Sequence, residues 1–132
     1  MPQGHCVQGT PLSTGDLVRL QHAASRRWLH SHLFSSPLSS NQEVSCFGDD
    51  DQSDTGDHWY VELDDAKAAR WQRDAGVRLR HKDTGAYLAS HDVKYQRPIP
   101  GHTEVHGIKS KGAATLWRAT EGVYFPEDRT KA

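Results

Sequence analysis

The chain has 132 residues, 35% of them hydrophobic, which is enough for one globular domain burying roughly two thirds of its unfolded surface. Sixteen basic residues against seventeen acidic ones leave a net charge of -1, which excludes a broad nucleic-acid footprint and a polybasic membrane patch. No apolar run approaches the ~18 residues of a membrane span, so no membrane insertion is expected, and the opening MPQGHCVQGT lacks the cationic start and hydrophobic stretch of a secretory signal.

Residues 1–15 read as a lead-in segment. Val18-Arg19-Leu20-Gln21-His22 then alternates apolar and polar, which predicts a strand with Val, Leu and His on one face. Ala23-Ala24-Ser25 reads as a hairpin tip and the stretch from Trp28 to His32 as the returning strand. The Ser- and Pro-rich SHLFSSPLSSNQ is a loop, Glu43-Val44 lies in a third short strand, and a fourth opens at Trp59. Asp64 to Asp74 is rich in Ala, Lys and Arg; it has room for a helical turn or two and serves mainly as a bridge.

After the bridge the chain repeats itself. VRLQHAASRRWLHSH, residues 18–32, returns 59 positions later as VRLRHKDTGAYLASH, residues 77–91. Lys82-Asp83-Thr84-Gly85 replaces the hairpin tip with Asp and Gly turn chemistry, Pro98-Ile99 matches Pro37-Leu38, Glu104-Val105 matches Glu43-Val44, and Trp117 matches Trp59. A period in this range marks a repeat architecture. Four short strands per unit are the module of a β-trefoil, an all-β fold in which three units close a barrel. Two units are visible, at about 16–75 and 76–125, within a domain spanning 16–125, and 126–132 is a tail. The expectation is therefore an incomplete trefoil, either continued by a unit upstream of this sequence or closed through its open edge by a second copy.

The stretches WLHSH, SPLSSNQEVSCFGDDDQSDTGDHW, YLASHDVKYQR, EVHGI and LWRATEGVY resemble the MIR domain, and the resemblance runs from about Cys6 to Pro126. It implies a β-trefoil of the endoplasmic reticulum lumen that is not an enzyme. Such a protein acts in protein quality control with a J-domain co-chaperone and its lumenal chaperone, on unfolded or glycosylated secretory proteins. MIR domains of protein O-mannosyltransferases and inositol trisphosphate receptors imply a carbohydrate-recognition or regulatory module as the alternative. The family usually carries a signal peptide and three repeats, and the two units here resemble the second and third. The C-terminal EDRTKA has no KDEL-like retrieval signal.

The second strands carry the candidate ligand-binding residues. If Leu29 and Leu88 face the barrel, period two sends Trp28, His30 and His32, with Tyr87, Ala89 and His91, to the opposite side. An aromatic surface beside imidazoles suits sugars or extended peptides; the same residues equally suit packing beneath the neighbouring loops. His22 and His81 align with core positions. A zinc site at His30 and His32 lacks further ligands, since Ala89 replaces the first histidine in the second unit. Asp51, Ser53, Thr55, Asp57 and Glu62 fit the spacing of a calcium loop with Gly56 at its turn, but strand-like flanks argue against helices on either side. No cofactor motif and no nucleophile, base and acid set is present, and Cys6 and Cys46 allow at most one bridge.

Overall fold

A computed structural model of the chain describes residues 9–96 and 100–120. Cys6 and the first eight lead-in residues, Pro98-Ile99, positions 121–125 and the tail lie outside the described residues. The described chain is all-β: β1 (Leu17–Val18), β2 (Trp28–Ser35), β3 (Gln42–Phe47), β4 (Trp59–Leu63), β5 (Gly76–His81), β6 (Tyr87–Lys94), β7 (Thr103–Ile108) and β8 (Trp117–Arg118). They form one curled antiparallel sheet in the order β1-β4-β5-β6-β7-β3-β2, with β8 also on β5.

This is the β-trefoil arrangement read from the repeat. In each unit the first strand pairs with the fourth, as Leu17↔Tyr60 and Val18↔Trp59, and as Gly76↔Arg118 and Val77↔Trp117. The units join where β4 pairs with β5, from Trp59↔His81 to Leu63↔Val77, and where β3 meets β7. Period two decides the core, because Trp59, Val61 and Leu63 alternate with half-exposed neighbours along β4, as Val77, Leu79 and His81 do along β5. With Val18 and Leu88 the apolar members make the central cluster. Each such side chain contributes about 1.5–3 kcal/mol by leaving water. The repeat extends to single hydrogen bonds: Trp59 Nε1 donates to Leu29 O at 3.0 Å, and Trp117 Nε1 to Leu88 O at 2.8 Å.

Several expectations change. The first strand does not run to His22; β1 ends at Val18, and His22 is exposed beside the hairpin tip, where its Nδ1 accepts from Ser25 N at 3.2 Å. The reason is pairing. β5 has β4 on one side and β6 and β8 as further partners, whereas beyond Val18 the first-unit strand, among the described residues, bonds toward β2 alone, through Leu29 N to Leu20 O at 2.8 Å and a bridge between Gln21 and Trp28. Residues 64–75 form bends and turns with no helical turn. Two 3-10 turns, Thr55–Asp57 and Ala113–Thr115, stand just before the two repeat tryptophans and were not foreseen.

Candidate functional site

The 3-10 turn of the first unit is built by Asp54, whose side chain accepts from Gly56 N at 2.8 Å, while Asp57 Oδ2 accepts from Asp54 N at 3.1 Å and Ser53 Oγ at 2.7 Å. This reciprocal capping places Asp57 beneath β2, fully buried, with Oδ1 accepting from His30 Nδ1 at 2.9 Å. Gly56 allows the approach: a Cβ there would stand 2.3 Å from His30 Cε1. The spacing Asp54-x-x-Asp57 is a capping signal that the expectations above omit, and nothing in the sequence marks its task of holding an imidazole.

The five candidate residues do not form one outward stripe. Both faces of β2 and β6 are covered at mid-strand: Leu88 lies in the core, yet His30, Tyr87 and Ala89 on the other face are buried too. The loops and turns roof that face, which is the packing role. Trp28 is half-buried, its Nε1 donating to Asp49 O at 2.8 Å and its ring lying under the Arg19 guanidinium at 4.0 Å. His32 remains partly open and donates from Nε2 to Glu43 Oε1 at 2.6 Å. Tyr87 reaches Glu62 Oε2 at 3.2 Å, and His91 is exposed at the end of the buried run. Trp28, His30 and His32 thus lie on β2, and Tyr87 and His91 on β6, with β3 and β7 between the two strands.

His91 caps a polar relay through the second unit. Its Nδ1 donates to His106 Nε2 at 2.8 Å, and His106 Nδ1 donates to Glu104 Oε1 at 3.1 Å, an assignment that satisfies both bonds with neutral rings. Glu104 in turn fastens the first unit's 36–40 loop, accepting from Ser36 Oγ at 2.9 Å, Ser39 Oγ at 2.6 Å and Leu38 N at 2.7 Å. Burial alone would raise this carboxyl, but those hydrogen bonds outweigh it and bring its pKa down to about 2. His81 is held below its ordinary pKa chiefly by burial; its Nε2 donates to Gly56 O at 2.8 Å.

The end of β2 and the loop after it leave large apolar side chains exposed, with Leu33 79%, Phe34 66% and Leu38 39% accessible. Leu33 and Phe34 border a cleft of about 400 Å³ with Asn41, Gln42, Ala86 and Ile108. Phe34 continues a line of rings on β2, 4.7 Å from His32, which lies 5.2 Å from His30, itself stacked on Phe47 at 4.6 Å. Phe34 falls in the Ser- and Pro-rich stretch expected to be a loop, whereas β2 runs to Ser35 and carries it.

Among the described residues the only His, Cys, Asp and Glu group within ligating range is His30, Asp54 and Asp57, all within 4.8 Å. His30 Nδ1 and Asp57 Oδ1 already bond one another, and Asp54 Oδ1, 3.6 Å from that nitrogen, is engaged by Gly56 N. The calcium-spaced residues are used separately. Asp51 is exposed, Ser53 serves Asp57, Thr55 Oγ1 donates to Asp83 Oδ2 at 2.7 Å, and Glu62 pairs with Lys111 on β4's outer side. Cys46 is a free, exposed thiol.

Comparison with known proteins agrees with this architecture. The MIR domain family matches residues 2–111. The chain is 54% identical over 119 residues to a stromal cell-derived factor 2-like protein of Arabidopsis thaliana, covering 90% of this chain and 54% of that one. It is 49% identical over 128 residues to a protein of the same name from Dictyostelium discoideum, covering 96% and 59%. The chain therefore spans a little over half the length of these curated relatives. The crystal structure of the SDF2-like protein from Arabidopsis thaliana superposes with a TM-score of 0.86 at 52% identity, over 94% of this chain and 68% of that one. The S. cerevisiae protein O-mannosyltransferase complex bound to its sugar donor is similar over 83% of this chain and 17% of that one, with a TM-score of 0.75 and 36% identity. With the family matching most of its length and the repeat geometry to support it, the chain belongs to the MIR domain family.

Proposed function

We propose that this chain is a binding module of the endoplasmic reticulum lumen that performs no catalysis and holds secretory proteins, unfolded or O-mannosylated, beside a J-domain co-chaperone and its lumenal chaperone. The observation that carries the reading is the exposed pair Leu33 and Phe34 bordering a polar-rimmed cleft, with Leu38 also exposed, which fits apolar segments of an unfolded chain. Membership of the MIR family and likeness to stromal cell-derived factor 2-like proteins support the setting. Of the expected ligand residues, the reading assigns accessible contact to His32, His91 and the rim of Trp28, and a supporting role to His30 and Tyr87. The test is capture of a reduced, unfolded secretory protein by the purified chain. Leu33→Ser with Phe34→Ser should weaken capture at least tenfold while the thermal melt is unchanged; undiminished capture would remove the assignment.

The second reading, a carbohydrate-recognition module, draws on the likeness to a region of the O-mannosyltransferase complex. Binding saturable by free mannosides, and lost in Trp28→Ala with the fold intact, would favour it. Binding confined to a J-domain partner or unfolded chains would favour the first.

A further inference from the structure

We propose that the cleft between the end of β1 and the first 3-10 turn is a site for a neutral pyranose, with Arg19 and His58 as its hydrogen-bonding groups. The inference deepens the second reading above by giving it a place and a chemistry. The cleft measures about 430 Å³ and is lined by Arg19, Ser53, Asp54, Thr55 and His58, within the ~300–1,000 Å³ typical of small-ligand sites.

Its marker is unmet hydrogen bonding. Among the described residues three buried side-chain nitrogens have no partner, and two of them, Arg19 Nε and His58 Nδ1, belong to this cleft; His58 is only 4% accessible. Buried polar groups left unpaired are rare and call for an explanation. The repeat supplies an internal control. Arg78 is the counterpart of Arg19, and there the protein satisfies the guanidinium itself: Nε donates to Thr115 Oγ1 at 3.0 Å, Nη1 to Asp64 Oδ1 at 2.7 Å and Nη2 to Gly112 O at 3.3 Å. In the first unit Asp57 stands where Thr115 does, but it is committed to His30 and Ser53. His58 stands where the second unit has Leu116. One unit satisfies the position with its own groups, and the other leaves two buried nitrogens without a partner.

The guanidinium is fixed in place. Ser53 Oγ accepts from Arg19 Nη1 at 2.9 Å, and the Trp28 ring lies beneath at 4.0 Å. The charges near the cleft then select the ligand. Arg19 and Lys82 are positive, whereas Asp54, Asp57 and Asp83 are negative, so an oxyanion meets a net negative surround and a metal ion meets the guanidinium. Burial lowers the His58 pKa from its ordinary value, with the positive charges of Lys82 and Arg19 acting in the same direction, which favours the neutral imidazole. A fixed donor, a neutral imidazole and a half-exposed carboxylate together match hydroxyl groups, which both accept and donate. Adjacent hydroxyls on a sugar ring present that pattern. Both nitrogens are themselves closed to solvent, so the ligand's oxygens must reach them by displacing part of the cleft wall.

The test uses the full chain and the imidazole nitrogen signals of His58 in heteronuclear magnetic resonance, titrated separately with methyl α-mannopyranoside, methyl β-glucopyranoside and inorganic phosphate. The expected result is a saturable shift with at least one pyranoside and none with phosphate. Affinity should weaken at least tenfold in Arg19→Met and in His58→Leu, the residue of the second unit, with Arg78→Met indifferent. Two variants keep the test decisive if one fails to fold. A mannosylated threonine peptide that binds more tightly than the free mannoside would support a protein-borne sugar, and equal affinity would support a free or terminal sugar. Saturation by phosphate alone, no saturable shift with either sugar, or full affinity in both variants would overturn the proposal. Isothermal titration with the same sugars separates the site from the reading it deepens: saturable mannoside binding without a His58 shift overturns this site alone, whereas no saturable binding by either method overturns the carbohydrate reading with it.

Discussion

The two units solve one packing problem with opposite choices. On facing strands the first unit sets His30 against Ser45, while the second sets Ala89 against His106. Each interior therefore holds one imidazole at this level, contributed by the second strand in one unit and by the third in the other. The partners follow the ring. His30 brings a buried Asp57 on the 3-10 turn, whereas with Ala89 the turn carries Thr115, and His106 finds Glu104 on its own strand. Sequence symmetry thus fixes where a polar group is buried, and cross-strand volume decides which residue it is.

The largest test of that contrast compares the two glutamates. Glu104 is 2% accessible and accepts from three residues of the other unit, while Glu43 makes a partly exposed pair with His32. Glu104→Gln should lower unfolding stability by about 2–3 kcal/mol. Glu43→Gln should cost less than ~1 kcal/mol. Matching losses in urea melts would end the distinction.

The same carboxylate gives an acid limb. Its folded pKa of about 2 lies below the ordinary 4.5, so its contribution is complete above 4.5 and is lost as pH falls toward 2, on the order of 3 kcal/mol. Earlier on the way down, His58 and His81, both depressed from 6.5 by burial, favour the unfolded chain as it takes up protons below that value. Thermal melts across pH should show both limbs, and Glu104→Gln should remove only the lower one.

Exchanging the solutions is a finer probe. His30→Ala and Asp57→Thr each break the first unit's pair, but together they install the second unit's residues at both positions. The double variant should be more stable than the sum of the singles predicts by about 1–3 kcal/mol. Strict additivity would mean that the pair acts independently.

The smallest effect lies at the hairpin tips. Arg26 has φ 61°, in the left-handed region, where the second unit has Gly85 at φ 76°. Arg26→Gly should raise stability by about 0.5–1 kcal/mol, seen as a higher melting temperature. A fall would assign the tip's order to the exposed Arg26 and Asp50 pair instead.

The strands were legible because alternation and the repeat specify them locally. β4 and β5 follow the expected burial period, and both repeat tryptophans start strands. The candidate surface was less legible. Period two separated the faces of β2 and β6 correctly, but it carries no information on which face a later loop covers. His22 and His81 occupy the same repeat position, yet His81 is fully buried beside Trp59, and His22 is exposed because its strand lacks the same pairing.

What the sequence by itself determined is the two-unit repeat, its strands and the apolar core positions, since a period-two pattern acts over neighbouring residues. Only the tertiary structure decided which imidazoles and carboxylates are buried, paired or left with an unpartnered nitrogen. His30 meets a partner 27 positions away and Glu104 meets Ser36 across 68. Contacts of that range depend on how two units are laid against each other, and the stability of a buried polar group depends on the partner found there.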